Sequence, residues 1–333
     1  MLGCGLVNLV GVIVIVISIV FQVWKIFLCG PTVMSNTLID WQNKGNEKWI
    51  DDQKIFYIFE QGEGSAGTVI CLHGFPTSSY DWKKMLPDLK KEFNQILLLD
   101  FLGFGFNDKP VDYTYTIFKQ ADIVENLAFS LQITSAHLLA HDYGDTVALE
   151  LMARYNFNDL KFEINSLTML NGGIFQETHK PRLSQKLLLI PVIGYITSQV
   201  FNYPLFVYGF GEIFGEIKPT QEDYQDFWSL LCYNNGHAAS YKVINFLRER
   251  KKFKERWVGA LKQTQVKVLF IYGPADPVNP PEFISQFRKT VPGQTIVSLS
   301  PDVGHYPQWE SPREVTRAFI TFLKPLLMFV TET

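Results

Sequence analysis

Cysteine is scarce, with four in 333 residues, and there is no Cys-x-x-Cys pair and no Cys/His cluster. A disulfide framework and a structural zinc site are therefore excluded. Asn-x-Ser/Thr sequons are absent, as expected of a domain never presented for glycosylation. Charge is also low: Asp, Glu, Lys and Arg make up 19% of the chain, and 30 basic residues nearly balance 33 acidic ones, for a net charge of −3. That balance removes the basic footprint of a nucleic-acid binder. With 17 prolines and 14% aromatic residues the chain does not read as disordered, and it contains no internal repeat.

The absence of charge is most complete at the front. Residues 1–24 carry no charged side chain, and 6–21 are almost wholly Val, Ile and Leu. Roughly 20 such residues span about 30 Å as a helix, the thickness of a bilayer's hydrocarbon core. A signal peptide would show a basic start and a small-residue cleavage site; here no Lys or Arg precedes the run, and Cys29-Gly30-Pro31 is a poor site. The run reads as an N-terminal transmembrane anchor over 1–30, with a cleaved signal or a buried helix as alternatives. Lys25, with nothing basic before it, leans the catalytic domain toward the cytoplasmic side of a single-pass topology.

Residues 31–52 read as a linker and the start of the globular part. After them, short apolar runs at 55–59, 68–72, 95–100, 136–141, 165–170, 267–272 and 295–299 alternate with helical patterns, among them 116–131 and one starting near Thr146. This alternation predicts an α/β fold, a mostly parallel central sheet with helices on both faces. From 173 to 261 the strand signal disappears and Leu, Phe, Tyr and Trp dominate, which predicts an inserted helical lid between two parts of one core, 53–172 and 262–333. The basic stretch 248–256 reads as a solvated helix face, with an anionic membrane as the sharper alternative.

Chemistry concentrates at the predicted strand ends. The segment 136–146 passes from a strand through a sharp turn into a helix, with small Ala140 and Gly144 two residues either side of Asp142. That is the pattern of a nucleophile elbow with Asp in the reactive place; the plainer reading of Asp142 is a helix cap. His73-Gly74-Phe75-Pro76 follows a strand where an oxyanion loop belongs, Asp276 lies just past Gly273 at another strand end, and His305 precedes the last helix. The order nucleophile, acid, histidine is that of an α/β-hydrolase triad. No histidine has a metal partner by spacing, and Gly103 and Gly105 make only a weak phosphate-loop pattern, so no metal and no cofactor is expected.

The segments 73–82 (HGFPTSSYDW), 100–110 (DFLGFGFNDKP), 141–145 (HDYGD), 171–179 (NGGIFQETH) and 250–253 (RKKF) are long and specific. Through them the chain, over about 40–325, resembles the α/β-hydrolases of the epoxide hydrolase and haloalkane dehalogenase branch. Within that branch it resembles the mesoderm-specific transcript family. The resemblance implies an α/β-hydrolase fold, an Asp nucleophile and residence in the endoplasmic reticulum membrane, with family links to mesoderm development and lipid storage.

A carboxylate already carries its charge, so Asp142 would attack an electrophilic carbon and form an ester, which water activated by His305, oriented by Asp276, would hydrolyse. Backbone N–H groups of Phe75 and Tyr143 would hold the oxyanion, with His73, Gly74 and Pro76 supporting that loop. Some relatives keep the acid where Asn171 stands, which favours Asp276. Dehalogenases of the branch cradle the halide with a Trp beside the nucleophile and often an Asn after the His-Gly pair; here Tyr143 and Phe75 occupy those places. Epoxide-opening relatives supply acids from lid tyrosines, and Tyr195, Tyr203, Tyr208, Tyr224, Tyr233 and Tyr241 are the candidates. Asp145, three past the nucleophile, is expected to repel charge on Asp142 and to favour its protonated form. The resulting expectation is a membrane-anchored hydrolase of a lipophilic small molecule, an epoxide or ester. The competing expectation is a weak or inactive relative that binds lipid or a partner at the membrane.

Overall fold

The computed structural model describes residues 11–20, 23 and 32–330. The anchor expected over 1–30 falls largely outside that description. Among the described residues no helix is long and apolar enough to cross a membrane.

Among the described residues eight strands form one sheet: β1 (Asn46–Ile50), β2 (Gln53–Gln61), β3 (Thr68–Leu72), β4 (Gln95–Leu99), β5 (Ser135–His141), β6 (Glu163–Leu170), β7 (Val268–Tyr272) and β8 (Thr295–Ser298), in the order β1-β2-β4-β3-β5-β6-β7-β8. β1 and β2 pair antiparallel with each other, and β2 pairs antiparallel with β4. Every later pairing is parallel. The inner strands β3 and β7 are buried at every position, as parallel strands covered on both faces must be. Their continuous apolar runs make them visible in the sequence.

The segment 31–52 is more ordered than a linker. Ser35 caps the helix Asn36–Lys44 through Leu38 N at 3.1 Å. Trp41 from that helix is buried, with its indole N–H donating to Ser79. β1 escaped the sequence reading because only Ile50 of its five residues is buried.

Two apolar layers flank the sheet. On one side pack the helices Ile117–Ser130, Tyr143–Asn156, Lys254–Gln263 and Glu282–Thr290. On the other pack Asn36–Lys44, Leu86–Glu92 and Pro312–Val330. Between β6 and β7 lies the helical insertion. Its last helix, Lys254–Gln263, belongs to the core layer through Trp257, Val258 and Leu261. Because β3 to β8 run parallel, their carboxyl ends and the loops after them gather along one edge, where such folds build their sites.

Candidate active site

Asp142 follows β5 directly and has φ 45° and ψ −98°, a conformation L-residues rarely adopt. The helix Tyr143–Asn156 therefore begins at the very next residue, three earlier than the sequence pattern suggested. The turn is held from both sides: Asp142 N donates to Leu170 O at 3.2 Å and Gly144 N to His73 O at 2.9 Å. A Cβ on Gly144 would lie 2.3 Å from Leu72 O, so the small residue there is required by the neighbouring strand.

Around Asp142 the loops converge. Phe75 N–H donates to its Oδ2 at 3.2 Å. Tyr143 opens the helix, so its N–H is one of the donors without an intrahelical acceptor. His73 is buried and neutral; burial brings its imidazole down to about 3. Its Nδ1 faces Gly74 O and its Nε2 accepts from Phe101 N, both at 2.9 Å, which ties the Gly74–Pro76 loop to the end of β4. Tyr306 donates its hydroxyl to Phe75 O at 3.2 Å from the far side.

His305 Nδ1 bonds Asp276 Oδ2 at 2.9 Å. The same carboxylate accepts from Asn171 Nδ2 and Asn279 Nδ2 at 2.9 Å and from Val278 N at 2.7 Å. Burial raises the pKa of Asp276, but the charge of His305 and these donors hold it below the usual carboxylate range. For His305 burial pulls downward, and the charges of Asp276 and Asp142 lift it above the ordinary imidazole value. Asn171 ties β6 to β7 by accepting from Gly273 N at 2.8 Å, so at this strand end an amide organises the acid instead of supplying it. His141 Nε2 donates to His305 O at 2.8 Å and holds the loop that carries the histidine.

The residue missed by sequence reasoning is Arg250. It is buried, and its Nη2 donates to Asp142 O at 2.7 Å and to Asp142 Oδ1 at 3.2 Å, while Nε donates to Thr146 at 2.7 Å. The basic stretch is thus not one solvated face. Arg248, Lys251 and Lys252 are exposed, whereas Phe246, Leu247 and Arg250 turn inward. Spacing Phe246, Arg250 and Phe253 at i, i+4 and i+7 was the available signal, since that period puts the arginine on the apolar side.

Arg250 also changes the expected effect of Asp145. Burial raises the pKa of Asp142, and the charges of Arg250, His305 and His141 more than reverse this, so the carboxylate stays ionised. Asp145, buried and accepting from Gly172 N at 2.9 Å, has its pKa pushed well up by burial and then by the charge on Asp142. Burial first and the repulsion between the two carboxyls second therefore favour the protonated form of Asp145, and not that of Asp142 as expected.

A cavity of about 110 Å³ is lined by His305, Phe75 and Pro76 together with Phe206, Phe210, Arg182 and Gln185 of the insertion. Cavities of this order admit a benzene-sized group. Asp142 is not among its lining residues, but Phe75, whose N–H bonds Asp142, is. None of the six candidate tyrosines lines it. Tyr195 and Tyr241 meet edge to face at 5.6 Å, Tyr203 packs on Trp228, Tyr224 on Phe210 and Tyr233 on Phe106, and Tyr208 is 71% exposed. The insertion's titratable side chains on the cavity are instead His237 and Arg182. Among the described residues no group of His, Cys, Asp and Glu is disposed to hold a metal ion.

A family model described as the alpha/beta hydrolase fold matches residues 67–189. The chain is 43% identical over 300 residues, 88% of its length and 90% of the relative's, to the mesoderm-specific transcript protein of Mus musculus. It shows the same identity and coverage against the mesoderm-specific transcript homolog protein of Homo sapiens. Among solved structures it is similar to the haloalkane dehalogenase DbeA of Bradyrhizobium elkani, with a TM-score of 0.73 over 85% of this chain and 98% of that one; at 21% identity the likeness concerns the fold alone.

Proposed function

The chain belongs to the mesoderm-specific transcript family of α/β-hydrolases, and on that footing we propose that it hydrolyses a small apolar or lipid-derived epoxide or ester through an ester on Asp142. The observation that carries this reading is the buried Asp142 carboxylate on the elbow, kept ionised and facing the Phe75 N–H beside a histidine bonded to Asp276.

In the epoxide case, an Asp142 oxygen attacks a ring carbon; a C–O bond forms and the ring C–O bond breaks. The freed oxygen takes its proton from His237, which lines the same cavity as His305. Water then attacks the ester carbonyl, giving its proton to His305 while the Phe75 and Tyr143 N–H groups receive the oxyanion. Collapse breaks the bond between Asp142 and the substrate, the departing alkoxide takes the proton from His305, and the proton left on the Asp142 carboxyl returns through solvent to His237. The apolar walls select an apolar substrate. A membrane-attached enzyme, through the run at 6–21, would meet such molecules at the bilayer of the endoplasmic reticulum.

The test is incubation of wild type, Asp142→Ala and His305→Gln with a panel of short-chain and lipid epoxides and esters. Turnover by wild type alone, with a covalent mass increase on the Asp142 peptide of His305→Gln, supports the reading. Equal turnover by Asp142→Ala would sink it. A second reading, a lipid-binding module without turnover, is favoured by one observation: Arg250 already engages the Asp142 oxygen opposite the one facing Phe75. Saturable binding of the panel without adduct or product would select it.

A further inference from the structure

Between Lys186 and Glu212 the chain carries no Asp, Glu, Lys, Arg or His. So long an uncharged stretch could cross a bilayer as a single helix. Here it folds as two short helices, Pro191–Val200 and Tyr203–Gly211. They part at Asn202, whose side chain accepts from Leu205 N at 3.1 Å and starts the second helix afresh. Neither is long enough to span a membrane.

Each helix has two apolar sides. Inward, Ser198, Phe206 and Phe210 are buried and line the cavity. Outward, Val192, Ile193, Ile196 and Tyr208 stand exposed, and among the described residues beyond 31 most of the exposed large apolar side chains lie between 183 and 217. Leu205 belongs to both, since it lines the cavity and is 51% exposed. A soluble monomer rarely gathers its exposed apolar side chains in one place.

Cations frame this face. Lys186 precedes the first helix and is exposed, as is Lys218 beyond the second. Lys218 donates to Gly211 O at 2.7 Å and to Phe214 O at 2.6 Å, which holds its ammonium at the end of the second helix. Arg248 donates to Leu189 O, just before the first. Against them stand Glu216 and Glu212, the latter paired with Arg182 at 2.6 Å. An uncharged apolar face with a cationic edge is the pattern of an element that lies in a membrane interface. The charge-free run at 6–21 gives the same chain a further reason to meet a bilayer.

We propose that the outer face of the helices Pro191–Val200 and Tyr203–Gly211 rests in the surface of a bilayer containing anionic lipid, so that an apolar ligand enters the cavity past Leu205 without crossing water. This surface role goes beyond the reaction and does not rest on turnover at Asp142.

The full chain is reconstituted in nanodiscs of phosphatidylcholine and phosphatidylserine that include a lipid with an acyl-chain diazirine. After irradiation, adducts are mapped by mass spectrometry. The expected result is adducts on peptides from 187–211 as well as on the N-terminal run. The variant Val192→Glu/Ile196→Glu/Tyr208→Glu should lose at least fivefold of the former and keep the latter. These side chains point outward, so its melting temperature should match wild type, which separates lost docking from lost folding. Phosphatidylcholine alone should lower the 187–211 yield several-fold, and an unchanged yield would overturn the anionic part. Adducts confined to the N-terminal run would overturn the docking itself. So would lipid-free cross-linking of two copies through 187–211, because the face would then belong to a second chain.

Discussion

Replacing Arg250 by methionine keeps the aliphatic stem and deletes the guanidinium from a fully buried pair. Three bonds go with it, two to Asp142 and one to Thr146. Breaking one side of a buried ion pair costs about 3–5 kcal/mol, because the remaining charge is stranded. Against a total stability of roughly 5–15 kcal/mol the protein still folds, with its melting temperature lower by roughly 6–15 °C at about 2–3 °C per kcal/mol. The stranded group is the Asp142 carboxylate, and it can escape by taking a proton, so the cost depends on pH. In wild type its folded pKa is lowered, and its contribution is present above the unfolded carboxylate value and lost only in acid below it. In Arg250→Met the largest of the causes that lower this pKa is gone and burial pushes it up against only His305, His141 and the Phe75 N–H, so wherever the pKa rises above the unfolded value the variant loses stability as pH climbs from about 4 toward the new value. The gap between the two proteins should therefore widen from pH 5 to pH 8.

The assay is urea unfolding at several pH values in a cycle with Asp142→Asn. Asp142→Asn alone strands the buried arginine and is also costly. The double variant strands neither, and a coupling of about 1–3 kcal/mol should appear. Additive single effects, or a loss for Arg250→Met that is small and independent of pH, would refute the ion pair as the reason the Asp142 carboxylate stays charged.

Asp145→Asn mimics the protonated carboxyl, so relative to wild type it should gain stability as pH rises above about 4, by up to roughly 1.4 kcal/mol per pH unit, followed by urea unfolding. No gain between pH 5 and 7 would mean that Asp145 is ionised. Hydrolysis of the covalent intermediate requires neutral His305, whose pKa is raised, so its rate should rise with pH on the alkaline side of about 6.5. In Asp276→Asn that limb should move toward acid, together with a lower maximum rate, in single-turnover measurements. His237→Gln should slow epoxide opening by about 10²-fold or more and leave ester substrates much less affected, as stopped-flow comparison would reveal; equal slowing of both would assign His237 to packing.

The sheet and the order of the site residues were legible because the signals were local. Continuous apolar runs at 68–72 and 268–272 mark strands covered on both faces, and the turn after each parallel strand must come to the same edge. The pairs Ala140/Gly144 and His73/Gly74 therefore located the elbow and its opposing loop without knowledge of any distance. What escaped reading depends on rotation about short helices. Six tyrosines in the insertion look equivalent in sequence, yet none lines the cavity, while His237, just past the kink at Asn234 and Asn235 with their positive φ, does. β1 was lost for the opposite reason: an edge strand with one buried residue has no alternation to read.

Arg250 shows how a charge can be misread when counted instead of placed. Within six cations over nine residues it looks like one more solvated side chain. On the helix it shares a side with Phe246 and Leu247, and burial there is tolerable only with an anion at hand. The anion is Asp142, and this one pairing settles the state of two carboxyls. It is the largest of the causes that hold the Asp142 pKa down against burial, and the charge on Asp142, after burial, pushes the pKa of Asp145 up. If Asp142 becomes an ester, its charge vanishes and the cause that most raises Asp145, after burial, vanishes with it. Arg250 then favours an ionised Asp145, so the buried arginine need not be left without a counter-charge at the step where the nucleophile is neutralised. Asp145, which in sequence looked like a handicap to catalysis, is near enough to Arg250 for the arginine's charge to lower its pKa.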